Sequence, residues 1–233
     1  PVFPDGHCKP ERYGIVRLSR AAEELSGEAV VTPRVPALDV ERWGNQMFYA
    51  GHGHHLGLEK FDGHWLSLAD MAPRGRFYES PGLVGCCVAV SRNLYEKLKG
   101  FDRDMLHWGV EDGDFGLKAW LMGHSILHDP TAIIGHRFRA SFDNFTITAE
   151  RVAANRIRMA RKNFSDGGWN EWIEQFRWRE GEESRKKAWK LYVKQEASAE
   201  KEREYLLENR SRDEFWYAER FGLTWPSRTT ATA

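Results

Sequence analysis

The run Gly82-Leu-Val-Gly-Cys-Cys-Val-Ala-Val90 is the tightest constraint in the sequence. It is nearly continuous and apolar, the pattern of a strand covered on both faces, so the chain has to lay other elements on either side of it. That requirement points to a layered α/β body. Ile15, Leu18, Ala21, Ala22 and Leu25 fall at helical spacing, and the spacing predicts a helix over 15–27 that ends at Gly27. Ala29-Val-Val-Thr-Pro33 reads as a short buried strand stopped by Pro33 and Pro36. Arg92 to Leu98 predicts a short helix closed by Gly100. A further helix follows Glu111-Asp-Gly-Asp114, with Phe115, Ala119 and Met122 on one face and Gly123 at its end. Ser125 to His128 and Thr131 to Gly135 read as two short extended pieces, whereas Trp43 to Arg76 has no sustained period and reads as irregular strands and loops.

At 233 residues, 41% of them hydrophobic, the chain can bury one sizeable core and a small appendage. Its 34 Lys+Arg cancel its 34 Asp+Glu, which argues against nucleic acid as a partner, because phosphate neutralisation needs a cationic surplus. No stretch approaches the roughly 20 apolar residues of a membrane-spanning helix. The three cysteines, Cys8, Cys86 and Cys87, make a poor disulfide framework. These features give a cytoplasmic expectation, and the opening Pro1-Val-Phe-Pro reads as that of a fragment or processed chain. After Asn163 the character changes to a charged, helical tail, in which Glu200-Lys-Glu-Arg-Glu204 reads as a solvated, salt-bridged face and the residues after Pro226 as frayed.

Asp5-Gly-His7 sets a carboxylate and an imidazole two residues apart, a pair that on an extended segment projects to one side and can share a metal ion. His136, after the second extended piece, is a candidate third ligand, although a packed histidine has the same appearance in sequence. Trp108-Gly-Val-Glu-Asp-Gly-Asp114 concentrates acids at a helix start. They complement the macrodipole there, or they accept hydroxyls of a polyhydroxylated ligand while the indole of Trp108 stacks on a sugar face. His52-Gly-His-His55 lacks companion cysteines and regular spacing and reads as a flexible polar loop.

Taken in order, Phe3-Pro-Asp-Gly-His-Cys8, Val30-Val-Thr-Pro33, Ser80-Pro-Gly-Leu-Val-Gly-Cys86, Phe101-Asp-Arg-Asp-Met105, Trp108-Gly-Val-Glu-Asp112, Ala119-Trp-Leu-Met-Gly123 and Gly135-His-Arg-Phe-Arg139 resemble the motifs of polypeptide N-acetylgalactosaminyltransferases and related GT-A glycosyltransferases. A fainter match lies at Asn155-Arg-Ile-Arg-Met-Ala160. The resemblance implies a GT-A-like mixed sheet flanked by helices over residues 1–165, lacking the N-terminal nucleotide-binding part, followed by a helical extension over 166–233. It implies that Asp5, His7 and His136 hold a divalent ion, usually manganese, whose remaining positions take diphosphate oxygens and water. Glu111 and Asp112 become the catalytic acids. Trp108, Gly109 and Gly85 would line the sugar and acceptor pocket, Trp120 would support the leaving group, Arg139 would contact the diphosphate, and Phe142 to Thr148 would close as a lid.

The family carries Asn at the position of Asp112 and Gly-Gly at Gly85-Cys86, and Asp112 instead resembles the base of inverting GT-A enzymes. The stereochemical outcome therefore stays open. The expected activity is transfer of a hexosyl or N-acetylhexosaminyl group from a nucleotide-diphosphate donor, a UDP-sugar, to a hydroxyl of a glycan or protein. The alternatives are a non-catalytic sugar- or partner-binding subunit, completed by a chain carrying the nucleotide-binding half, and a metal-dependent hydrolase using Glu111 or Asp112 as base.

Overall fold

The computed structural model describes residues 1–138, 147–179 and 181–226. Its strands are β1 (Val2–Pro4), β2 (Cys8–Pro10), β3 (Ala29–Asp39), β4 (Gly44–Gly51), β5 (Gly53–His54), β6 (Trp65–Leu66), β7 (Ala72–Arg74), β8 (Phe77–Glu79), β9 (Cys87–Ala89) and β10 (Ser125–His136). The helices are α1 (Gly14–Glu24), α2 (Arg92–Lys97), α3 (Glu111–Leu121), α4 (Ala149–Asn163), α5 (Asp166–Arg179), α6 (Glu182–Tyr192), α7 (Glu196–Asn209) and α8 (Glu214–Arg220). The mixed sheet runs β1-β9-β3-β10-β8-β7, with β2 added to β10 and β4 to β3, while β5 and β6 form a separate pair. Among the described residues no helix is long and apolar enough to cross a membrane.

The central strands alternate between two cores, as the two-residue period of a strand requires. Val30 of β3, Val88 of β9 and Ile126 of β10 face the larger cluster, which contains Phe115, Trp120, Ile157, Trp172, Tyr192 and Tyr217. Val31, Cys87, Ala89 and Leu127 face the opposite side and pack on Leu18, Ala21 and Ala22 of α1. The strand covered on both faces is therefore present, but only Cys87–Ala89 of the apolar run pairs as β9. All three cysteines are free thiols.

Two sequence expectations need correction. Pro33 and Pro36 do not stop β3, because each sits at a register shift: β10 bulges between Asp129 and Ile133 opposite Pro33 and Arg34, and β4 shifts opposite Pro36 and Ala37. A proline at a bulge loses no ladder hydrogen bond. The two extended pieces after α3 are likewise one bulged strand, β10, whose bulge is held by Asp129 Oδ1 accepting from the Thr131 N–H at 2.9 Å and from its hydroxyl at 2.7 Å.

The helical extension packs into the larger cluster. Trp172 of α5 is fully buried, donates its indole N–H to the Leu58 carbonyl at 3.0 Å and stacks on Phe61. Tyr217 of α8 donates to the Pro81 carbonyl at 2.8 Å. The Glu200–Glu204 segment is not a purely solvated face: Arg203 is buried against Phe164, and Glu202 bonds Arg158 and Lys162 of α4 at 3.0 and 2.9 Å. Those two cations meet Asp102, Lys162 also meets Asp114, and Asp114 pairs with Lys118 at 3.3 Å. The buried Asp102 and Asp114 and the partly exposed Glu202 thus oppose three buried cations. Burial pushes the Asp102 carboxyl up, but Lys162 and Arg158 outweigh it and hold the carboxyl well below the usual range.

Asp102→Asn leaves the α4 cations under-compensated, which costs about 3–5 kcal/mol, and each kcal/mol lowers the thermal midpoint by roughly 2–4 °C in a chain of this size. Because the folded pKa is depressed, this stabilisation is complete above the ordinary value of 3.8 and is lost as the pH falls through the folded value. Thermal melts should accordingly show a large wild-type advantage at neutral pH that narrows at about pH 2.

Candidate metal and sugar site

Asp5 and His7 sit in the turn between β1 and β2 rather than on an extended segment. The turn is pinned on two sides: the Asp5 N–H donates to the Cys86 carbonyl at 2.8 Å, and the Arg137 N–H donates to the His7 carbonyl at 3.2 Å. β2 pairs antiparallel with the end of β10, which sets Cys8 opposite His136. The register brings three side chains to one point. His7 Nε2 lies 3.9 Å and His136 Nε2 3.6 Å from Asp5 Oδ2, with the two imidazoles 4.6 Å apart between centroids.

One carboxylate and two imidazoles, with ligand atoms all within 4.8 Å of one another, form a donor set that suits a divalent first-row ion such as Mn²⁺. Among the described residues the buried His136 Nδ1 atom has no hydrogen-bond partner, and Nε2 is the nitrogen turned toward Asp5. Asp102, Asp104 and Glu202 also converge, but Arg158 and Lys162 already occupy the space between them. Only the first cluster fits a metal.

The acids lie at the start of α3, preceded by a strained turn. His107 and Val110 are left-handed, at φ 55° and 65°, and Gly109 is at φ 110°. A β-branched residue in that region is an outlier, and such strain persists only where the surroundings enforce it. Here Asn155 of α4 enforces it. Its Oδ1 accepts from the Leu106 N–H at 2.7 Å, and its amide donates to the Leu106 and Gly109 carbonyls, both at 3.1 Å. Asn155 falls in the faint motif match, yet nothing in its spacing distinguished a loop clamp from an ordinary helix residue.

Glu111 Oε2 accepts from the Gly109 N–H at 2.7 Å. Asp112 accepts twice, from the Gly113 N–H at 2.7 Å and the Gly85 N–H at 3.2 Å. A Cβ on Gly85 would stand 3.2 Å from that of Asp112, so glycine permits this approach. Burial pushes the Glu111 carboxyl above its ordinary value, with Asp112 adding to the push and Asp5 making a smaller contribution in the same direction.

Trp108 is 44% exposed beside these acids. Trp120 lies elsewhere: it is buried in the larger core, donates its indole N–H to the Ser80 carbonyl at 3.1 Å and packs edge-on against Phe221, so it offers no surface to a leaving group. Arg139 lies outside the described residues, as does most of the expected lid from Phe142 to Thr148. The His52–His55 segment is not a free loop. Its Gly53–His54 forms β5, and His52 Nδ1 lies 3.0 Å from His128 Nε2. Trp65 and Phe138 were not anticipated as site residues. Phe138 packs edge-on against His136 at 4.5 Å between centroids, and Trp65 meets Phe138 at 6.1 Å, giving the metal cluster a half-exposed aromatic flank.

Residues 68–140 match the family model described as the N-terminal domain of galactosyltransferase, a span that contains Gly85, Trp108, Glu111, Asp112 and His136. Mouse and human polypeptide N-acetylgalactosaminyltransferase 3 are each 28% identical over 172 residues, covering 68% of this chain and 26% of the relative. A putative polypeptide N-acetylgalactosaminyltransferase 13 of Drosophila melanogaster is 30% identical over 145 residues, covering 59% and 25%. The crystal structure of GalNAc-T7 with UDP, GalNAc and Mn²⁺ superposes with a TM-score of 0.68 at 14% identity, across 95% of this chain and 40% of that one. The fold is that of a GT-A glycosyltransferase. The chain spans about a quarter of the length of these curated relatives, and its resemblance to polypeptide N-acetylgalactosaminyltransferases holds in both sequence and fold.

Within this GT-A frame the raised Glu111 carboxyl makes a pH prediction. A reaction that needs Glu111 ionised loses rate as the pH falls through the raised value, so its acid limb begins above the ordinary 4.5. Asp112→Asn removes part of the push and should shift that limb to lower pH. A pH–rate profile of sugar-nucleotide turnover reads the shift.

Proposed function

We propose that this chain forms the metal and acceptor part of a glycosyltransferase that moves a sugar from a nucleotide-diphosphate donor, a UDP-sugar, to a hydroxyl acceptor. The observation that carries the reading is the convergence of Asp5, His7 and His136 beside the acids at the α3 N-terminus. The neighbour solved with UDP and Mn²⁺ supports the donor and metal classes.

Asp5, His7 and His136 would hold the divalent ion, which when bound neutralises charge on the departing diphosphate. Trp108 offers its exposed indole face to a sugar ring. Asp112, with both oxygens engaged by backbone N–H groups, fixes the close approach of Gly85 to α3. Glu111 has Oε2 engaged by Gly109, so Oε1 is the oxygen that receives a hydrogen bond from a ligand hydroxyl. Its raised pKa makes it a better proton acceptor than an ordinary carboxylate once ionised. Asn155 holds the turn that presents Trp108 and Gly109. No observation favours a separate chain supplying the nucleotide half.

Asp5→Asn and His136→Ala should each lower Mn²⁺-dependent turnover of UDP-sugars on the order of a hundredfold or more, while the thermal midpoint in metal-free buffer stays near that of the wild type. Turnover that survives chelation, or variants as active as the wild type, would overturn the reading.

A further inference from the structure

A cavity of about 620 Å³ opens immediately before Trp108 in the chain. One wall is the turn carrying Arg103, Asp104 and His107, and the other is the junction of α6 and α7 with Lys194, Gln195 and Ser198. Its volume falls in the range of small-molecule sites. A single buried side chain joins the two walls. Arg158 donates to both oxygens of Asp102, at 2.7 and 3.1 Å, and to Asp104 at 3.4 Å on one side. On the other it donates to the Gln195 carbonyl at 3.1 Å and the Ser198 hydroxyl at 2.9 Å. The cavity is therefore a preformed feature of the fold rather than a gap between loosely packed segments.

Its charge is lopsided. Asp104, the only carboxylate in the lining, is engaged by Arg158. Among the described residues no carboxylate lies within ion-pair distance of Arg103 or Lys194. In a chain with no net charge, this concentrates unneutralised positive potential beside the turn that presents Trp108. The lining mixes guanidinium, ammonium, amide, hydroxyl and imidazole groups with the apolar Met105 and Leu106, and among the described residues no sheet strand borders it, which suits a hydroxyl-rich anion better than an extended peptide.

We propose that this cavity is an acceptor subsite for an acidic saccharide, with Arg103 and Lys194 receiving its carboxylate or sulfate group while the adjoining sugar reaches Trp108. The proposal rests on the glycosyltransferase reading for the word acceptor, but not for the binding itself. Direct titration separates the two. Calorimetry or ligand-observed NMR, without donor or metal, compares a hyaluronan tetrasaccharide with neutral chitotetraose on the wild type and on the double variant Arg103→Gln/Lys194→Gln. Both substituted residues are exposed, so the variant keeps the wild-type thermal midpoint. The wild type should prefer the acidic probe by on the order of tenfold. The preference should weaken with salt and collapse in the variant. Replacing the carboxylates by sulfates in the probe distinguishes which anion the subsite favours.

Equal affinity for the two probes, binding of neither, or a preference that survives in the variant would overturn the subsite. So would competition by a poly-glutamate peptide at least as strong as that by the saccharide, which would assign the cavity to an acidic peptide. A wild type that shows the acidic preference but turns over no UDP-sugar leaves the subsite standing and removes the catalytic reading. Turnover without the preference does the reverse.

Discussion

A polar stripe on α4 ties the molecule together. Asn155, Arg158 and Lys162 recur at helical spacing and are all buried, where apolar residues would ordinarily fill a core-facing stripe. An unpaired charge in such a place is prohibitively unfavourable, so its neighbours are constrained to supply partners. Asp102 and Asp114 come from one side and Glu202 of α7 from the other. The same stripe fixes the Trp108 turn through Asn155 and both walls of the basic cavity through Arg158. The Trp108 turn, the cavity and the helical extension therefore have their geometry set by one helix face.

Two groups of possible metal-ligand side chains converge among the described residues, and their neighbours decide what each can do. Asp102, Asp104 and Glu202 are interleaved with the Arg158 guanidinium and the Lys162 ammonium, which take the place an ion would need. Asp5 stands among imidazoles, which as neutral ligands add donors without adding positive charge. The first arrangement is a structural salt lattice, and the second leaves a donor set that could hold a cation.

Much of this was legible in the sequence. The two-faced strand, the helices closed by Gly27, Gly100 and Gly123, the acids at a helix start and the meeting of Asp5, His7 and His136 all follow from residue patterns or from the motif order. What was not legible depends on long-range pairing. Pro33 and Pro36 look like strand breakers until β10 and β4 bulge opposite them. Trp120 sits within a motif, but only tertiary packing reveals that its indole is turned to the Ser80 carbonyl. Glu202 and Arg203 look like members of a solvated charge run because helical periodicity cannot say which polar face meets a buried cation. Phe138 and Trp65 lie far apart in sequence and become neighbours only around the end of β10.

The pairing of the first strands has a consequence for biosynthesis. β1 is held by β9 and β2 by β10, so both must wait for segments translated much later. The ribosome thus releases Asp5 and His7 long before His136 exists to face them. Contacts of such high sequence separation slow folding and leave early strand edges uncovered on the nascent chain.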